Sequence, residues 1–263
     1  MSRTHTWQFP LPRTHTGILQ GNGTMGAMIW GSDNVLKITI GRADFWDHRG
    51  GMPWREGMSY SNIRRLLEAG DEVGLRALFE ATNQPAGEPR RPTVLPLGRV
   101  EIVFEPHLTL DTGELNLDNG EMSINLRAQG RTVGYITLNL AMNEPILNVQ
   151  SPQSTPPQEV RCVPAWEYVG SYLKSISFHE PELFASDKIS GWVQARPADP
   201  TLCLGYRLVN GELWLTTAYG ANASEARSNA WIVRAGGARE KIGGAVLTVL
   251  TSPDEIVILR PEP

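Results

Sequence analysis

The stretch Gly21-Asn22-Gly23-Thr24-Met25-Gly26-Ala27-Met28-Ile29-Trp30-Gly31 decides how this chain is read. Its spacing, Gly21-x-Gly23-x-x-Gly26, has the form of a dinucleotide fingerprint. That fingerprint works only where a strand leads in and a helix comes next, so that a pyrophosphate meets the helix N-terminus. Here Pro10, Pro12 and Gly17 precede the glycines, and the apolar, strand-like run 27–30 comes after them. No alternating strand–helix pattern appears later. The glycines are therefore expected to shape a tight turn feeding an edge or bulged strand.

Working outward, most of the chain alternates with period two, as half-buried strands do. In 35–40, Leu36, Ile38 and Ile40 point one way and Lys37 and Thr39 the other. Met122, Ile124 and Leu126 alternate with Ser123 and Asn125, and Ile136, Leu138 and Leu140 alternate with Thr137 and Asn139. Asn119-Gly120 and Asn210-Gly211 separate such runs, and Asn-Gly suits a type I′ hairpin because both central residues need positive φ. One region departs from this pattern. Ile63, Leu66 and Leu67 fall at helical spacing, Gly70 interrupts, and Leu75, Leu78 and Phe79 repeat it, with Asp71 placed to cap the second helix. A helical turn is expected over 224–230. The proline-rich stretches 84–96 and 151–157 read as loops, the second as the join between two halves of the sheet system.

The chain has 263 residues, 41% hydrophobic and 20% charged, enough to bury a sizeable core in one all-β domain. Its net charge of −4 argues against a nucleic-acid or anionic-membrane partner, either of which favours a concentrated basic surface. No apolar run reaches the ~18 residues of a membrane span. The N-terminus lacks the apolar core of a secretory signal, which, if it is the native start, points to the cytoplasm. Cys162 and Cys203 imply no disulfide framework and read as two unpaired structural thiols, a bridge between them remaining the alternative.

The densest chemistry lies in Gly41-Arg42-Ala43-Asp44-Phe45-Trp46-Asp47-His48-Arg49-Gly50-Gly51, with Trp54 and Arg55 extending the same loop. Carbohydrate sites use this mixture: an aromatic face stacks on a sugar's C–H surface while planar charged groups bond its hydroxyls. Asp44, Trp46, Asp47, His48, Arg49 and Trp54 are the candidate contacts. The competing reading is an Arg–Asp network that pins a long loop. Asp44 and Asp47 would need about 5–9 Å between carboxyls to act as a glycosidase pair, and such pairs normally come from different elements. No catalytic residue is assigned. His5, His15, His48, His107 and His179 show no HxH or HExxH spacing, so no metal or cofactor is assigned. The sequons at Asn22 and Asn222 read as chance matches. Trp166, Trp192, Trp214 and Trp231 read as core residues rather than sugar platforms.

The order of these blocks resembles the N-terminal domain of proteins related to glycoside hydrolase family 95, the α-fucosidase group. The matching pieces are 21–31, 42–51, 63–70, 95–104 and 110–126, followed by 138–149. They cover the first 150 residues or so. The family's Asn-Glu-Asp-x-(Leu/Ile)-Trp-(Ser/Thr)-Gly block is replaced here by Gly41-Arg42-Ala43-Asp44-Phe45-Trp46-Asp47-His48, a departure that implies a divergent branch and leaves the sugar specificity open.

The resemblance implies a two-sheet antiparallel β-supersandwich (galactose-mutarotase-like) with small helical insertions, a single domain over 1–263. It also implies that the catalytic acid and base reside in a subsequent (α/α) helical barrel, so that this chain is a non-catalytic accessory domain contacting that barrel and carbohydrate. Two alternatives stand beside it. One is a free-standing carbohydrate-binding module, which predicts no exposed apolar face where a barrel would dock. The other is a small mutarotase-like sugar epimerase, which needs a histidine and a glutamate converging on one sheet face, with His107 or His179 and Glu101 or Glu182 as partners.

Overall fold

Period-two patterning becomes antiparallel pairing throughout the computed structural model, which describes residues 3–51, 54–80, 86–185, 189–196, 199–209, 212–229, 231–233, 239–241 and 247–248. In chain order the elements are β1 (Thr4–Gln8), β2 (Ile18–Gly21), β3 (Met25–Ser32), β4 (Val35–Arg42) and β5 (Trp46–Asp47), then α1 (Tyr60–Glu68) and α2 (Glu72–Phe79). They continue with β6 (Thr93–Val94), β7 (Gly98–Val103), β8 (Thr109–Asn116), β9 (Met122–Ala128), β10 (Arg131–Leu140), β11 (Ile146–Gln150), β12 (Glu159–Pro164) and α3 (Trp166–Ser175). Last come β13 (Glu182–Ala185), β14 (Ser190–Arg196), β15 (Asp199–Val209), β16 (Glu212–Gly220) and α4 (Ala223–Asn229). Trp231–Val233, Arg239–Lys241 and Leu247–Thr248 form a small sheet of their own.

Two sheets make the sandwich. One has nine strands, ordered β1-β8-β9-β10-β11-β16-β15-β14-β13, and the other five, ordered β12-β7-β4-β3-β2. Their inner faces hold one core. Ile29, Leu36, Ile38, Val100 and Ile102 from the smaller sheet meet Met122, Ile124, Leu126, Ile136, Leu138, Leu147 and Leu204 from the larger, all at most 1% exposed. The alternation read from the sequence is thus the in–out alternation of a sandwich. Gly98, at φ +144°, lets the sheets close: a Cβ there would lie 2.6 Å from the buried Trp192 ring. The loop 151–157 carries the chain from β11 of the large sheet to β12 of the small one, as expected.

The opening glycine block forms the hairpin of edge strand β2 with β3, pairing Gly21 with Gly26. Gly23 takes φ +87° at its tip. Asn22 makes the turn a clamp between sheets. Its Oδ1 accepts from the Thr24 and Met25 amides, and its Nδ2 donates to Ala141 O and Glu144 O beyond β10. That nitrogen is thereby engaged within the chain.

One turn differs from expectation. Asn119-Gly120 is not a two-residue type I′ turn: Asn116 N bonds Glu121 O, so four residues form the loop and only Gly120 (φ +75°) is left-handed. Asn116 and Asn119 instead use their side chains to accept the Asp118 and Glu121 amides. The two-residue turn with both central φ positive is Gln129-Gly130 (+49° and +78°), between Ala128 and Arg131. The expected turn at Asn210-Gly211 lies outside the described residues.

The helical pair forms where its spacing predicts. Ser59 and Asp71 cap α1 and α2, accepting from Asn62 N and Gly74 N. Helix α4 bears out the turn expected over 224–230, and α3 was not anticipated. Cys162 and Cys203 are free thiols, and burial pushes both up to about 12. Among the described residues no helix is long and apolar enough to cross a membrane.

Candidate functional site

Strand β4 ends in Arg42, and the loop after it carries the densest chemistry of the sequence to one end of the sandwich. There it divides into two arginine–aspartate pairs. Arg42, 7% exposed, holds Asp44 through two parallel bonds of 2.8 and 2.7 Å. Its remaining nitrogen donates to Thr217 Oγ1 (2.8 Å) and Thr217 O on β16, across the sandwich. The Tyr219 hydroxyl donates to Asp44 Oδ1 at 3.2 Å, and the Arg42 guanidinium lies 4.7 Å from the Tyr219 ring. Arg196 of β14 sits over the rings of both Phe45 and Tyr219 and donates to Trp46 O.

The electrostatics arise from this packing. Partial burial pushes the Asp44 carboxyl up, but the Arg42 hydrogen bonds and charge outweigh it and hold the group below its ordinary value. Burial, reinforced by the Asp44 charge, pushes Tyr219 up to about 12. Asp44 is thus an ionised acceptor at neutral pH and Tyr219 a neutral donor.

Asp47 is 3% exposed and wholly engaged. Arg49 donates to it through Nε, Nη2 and its own backbone amide at 3.0, 2.8 and 3.0 Å. The same guanidinium donates to Ile176 O at the end of α3 and to Gly87 O. This pair pins the loop to α3 and to the segment 86–93, which together border a cleft of about 470 Å³ lined by Arg90, Arg91, Thr93, Tyr172 and Ser175.

Of the six candidate contacts, the structure brings Trp46 and His48 together as a near-parallel pair, ring centroids 6.4 Å apart and 13° between planes, with His48 exposed. Trp46 anchors itself by donating to Ala43 O. Asp44 is exposed beside them, whereas Asp47 and Arg49 serve the loop's own fold. Trp54 is 76% exposed, and among the described residues no ring contact or hydrogen bond ties it to the others. Thr217, Tyr219 and Arg196 complete the cluster and were missed, because they arrive from strands more than 140 residues away.

The four residues considered for an epimerase pair do not converge that way. Glu101 is engaged by Arg99 at 2.7 Å and Lys37 at 4.0 Å, and Glu182 by Arg227. His107 and His179 are exposed, and among the described residues no ion pair joins a histidine to a carboxylate.

A further surface adjoins the loop in sequence. Trp54, Tyr60, Leu67, Val73 and Phe79 are 54–80% exposed, while Leu66 is the single buried side chain of α1 and α2 has none. Comparison with protein-family models and with curated proteins gives no match.

Proposed function

We propose that this chain is the non-catalytic accessory domain of a glycoside hydrolase related to family 95, supporting a helical-barrel catalytic domain in the same polypeptide and contacting carbohydrate. The observation that carries this reading is the exposed apolar surface of the α1–α2 pair. Helices of nine and eight residues are below the ~12–15 at which isolated helices become even marginally stable. They depend on tertiary packing, yet here bury one side chain between them. Exposed apolar groups concentrated on such a pair mark a surface that another apolar surface covers. This favours an accessory domain over a free-standing module, which predicts no such surface.

The loop adds support. Both of its carboxylates are neutralised by arginines, and Asp44 is held below its ordinary pKa, the reverse of what a general acid needs. The half-buried Trp46 beside the exposed His48 and Asp44 offers a ring face and an acceptor of the kind a sugar uses. In the test, the purified chain is incubated with aryl fucoside and aryl galactoside. No turnover is expected, and turnover that survives repurification would sink the reading.

A further inference from the structure

We infer that the outer face of the nine-stranded sheet carries a binding platform for a neutral oligosaccharide, centred on Asn148 and Trp214. This deepens the carbohydrate-contact part of the proposed function and rests on it, but places the contact on the sheet rather than on the Asp44 loop. Strand register sets four side chains in one row: Asn139 opposes Asn148, Asn148 opposes Trp214, and Trp214 opposes Arg207. Their strand neighbours Leu138, Leu147, Val149, Leu213 and Leu215 are buried in the core, so alternation turns the row away from it. Three inter-strand steps make the row about 14 Å long. The next row along the strands is Thr137, Gln150 and Glu212.

The composition of this face selects the ligand. It offers amides, a hydroxyl and an indole, with one arginine and one glutamate balancing each other in charge. An anionic ligand would call for a surplus of cations. Amides and an indole suit instead a ligand with many uncharged oxygens and an apolar ring face. Helix α4 covers the adjoining part of the sheet through Ala226, which packs with Val193 and Cys203, and Trp214 lies against the margin of that cluster. The row begins where the cover ends, with Asn139 and Gln150 exposed and Asn148 and Trp214 half-buried.

The decisive feature is a deficit of acceptors. Asn148 Nδ2 and Trp214 Nε1, neighbours in register, are both shielded from solvent and have no hydrogen-bond partner. A buried donor without an acceptor is unfavourable, and two side by side call for oxygens from outside the chain. Engaging them takes a side-chain rotation of the kind that commonly accompanies binding.

The test is calorimetric titration of the intact chain with cellotetraose, β-1,4-galactotetraose and 2′-fucosyllactose. Binding of at least one is expected, weakened roughly fivefold or more by Trp214→Phe, which removes the indole N–H with part of the ring, and by Asn148→Asp, which replaces the amide donor by a carboxylate of the same shape. Leu19→Ser, at an exposed position on edge strand β2 of the other sheet, should leave that affinity unchanged. In the wild-type chain, the indole N–H resonance absent from the Trp214→Phe spectrum should move during the titration, a readout that does not depend on how a variant folds. No heat with any of the three sugars overturns the platform. So does a sugar that binds without moving that resonance, or one lost in Trp46→Ala and kept in both sheet variants. In that last case the loop makes the contact, and the accessory-domain function stands without the platform.

Discussion

The loop after β4 and the helical pair next along the chain are close in sequence, and they solve opposite problems. In the loop, nearly every charge has a partner within the chain: Arg42 with Asp44 and Thr217, and Arg49 with Asp47, Ile176 O and Gly87 O. In the helical pair, apolar side chains face water and one leucine is buried. The loop is finished by its own chemistry, whereas the helices leave apolar side chains open to water. Density of charge in a sequence is therefore a poor guide to an open site. A satisfied network closes a surface, and an unsatisfied one leaves it open.

Breaking the loop should cost most. Asp47→Ala leaves Arg49 inside the fold without its carboxylate, and removing one partner of a buried pair costs on the order of 3–5 kcal/mol. The lower end is expected, since Arg49 is a quarter exposed. Chemical denaturation of the whole sandwich reads it, and a loss under about 1 kcal/mol would mean that the pair does not hold the loop.

Leu66→Ala should cost about 2 kcal/mol, but only locally. Amide exchange in α1 and α2 should quicken while the strands keep their protection; a matching loss across the strands would show that the helices belong to the sandwich core.

Asp44→Asn sharpens the comparison by pH. Because the folded pKa of Asp44 lies below its unfolded value, its contribution is present above about pH 4 and is lost as pH falls through the folded pKa. The variant should show a shallower acid limb. The difference stays below about 1 kcal/mol because the carboxylate is half exposed and screened. An unchanged acid limb would remove Asp44 from the network.

The smallest stability effect is expected on the helices' outer surface. Leu67→Ser and Phe79→Ser should each change the stability of this chain by no more than about 0.5 kcal/mol. Together they should clearly lower the binding of an apolar dye such as ANS. Unchanged dye binding would mean that these residues do not form an accessible patch.

Much of this fold was legible because burial imposes period two on a strand. Leu36, Ile38, Ile40, Met122, Ile124 and Leu126 all face the core as their spacing required. Gly21–Gly26 was legible for a different reason: the short apolar run that comes next, Ala27 to Trp30, reads as a strand rather than as a helix opening. Turn geometry was less so. Asn119-Gly120 has the right residues for a two-residue turn, but the Asn116–Glu121 bond closes a longer one.

Helix α3 was hidden by its own irregularities. It holds Gly170, bends where Val169 takes φ −131°, ψ 19°, and starts at Ala165 without a side-chain cap. The site was the least legible part. Arg42, Asp44, Asp47 and Arg49 are neighbours in sequence, and their local pairing was foreseen as the competing reading. Tyr219, Thr217 and Arg196 join them only through the sheet order β11-β16-β15-β14, which no local pattern announces. Trp214 was read as a core residue because tryptophans usually are; register places it on the outer face, beside Asn148.

We propose that a helical domain covers the α1–α2 surface. Amide hydrogen exchange over 60–79 tests it most directly, comparing this chain alone with the same chain expressed in continuity with the helical region that the resemblance places after it. The account predicts fast exchange in the chain alone and a slowing of at least about tenfold in the joined protein, confined to α1, α2 and the loop around Trp54. Equal rates in the two forms would contradict it.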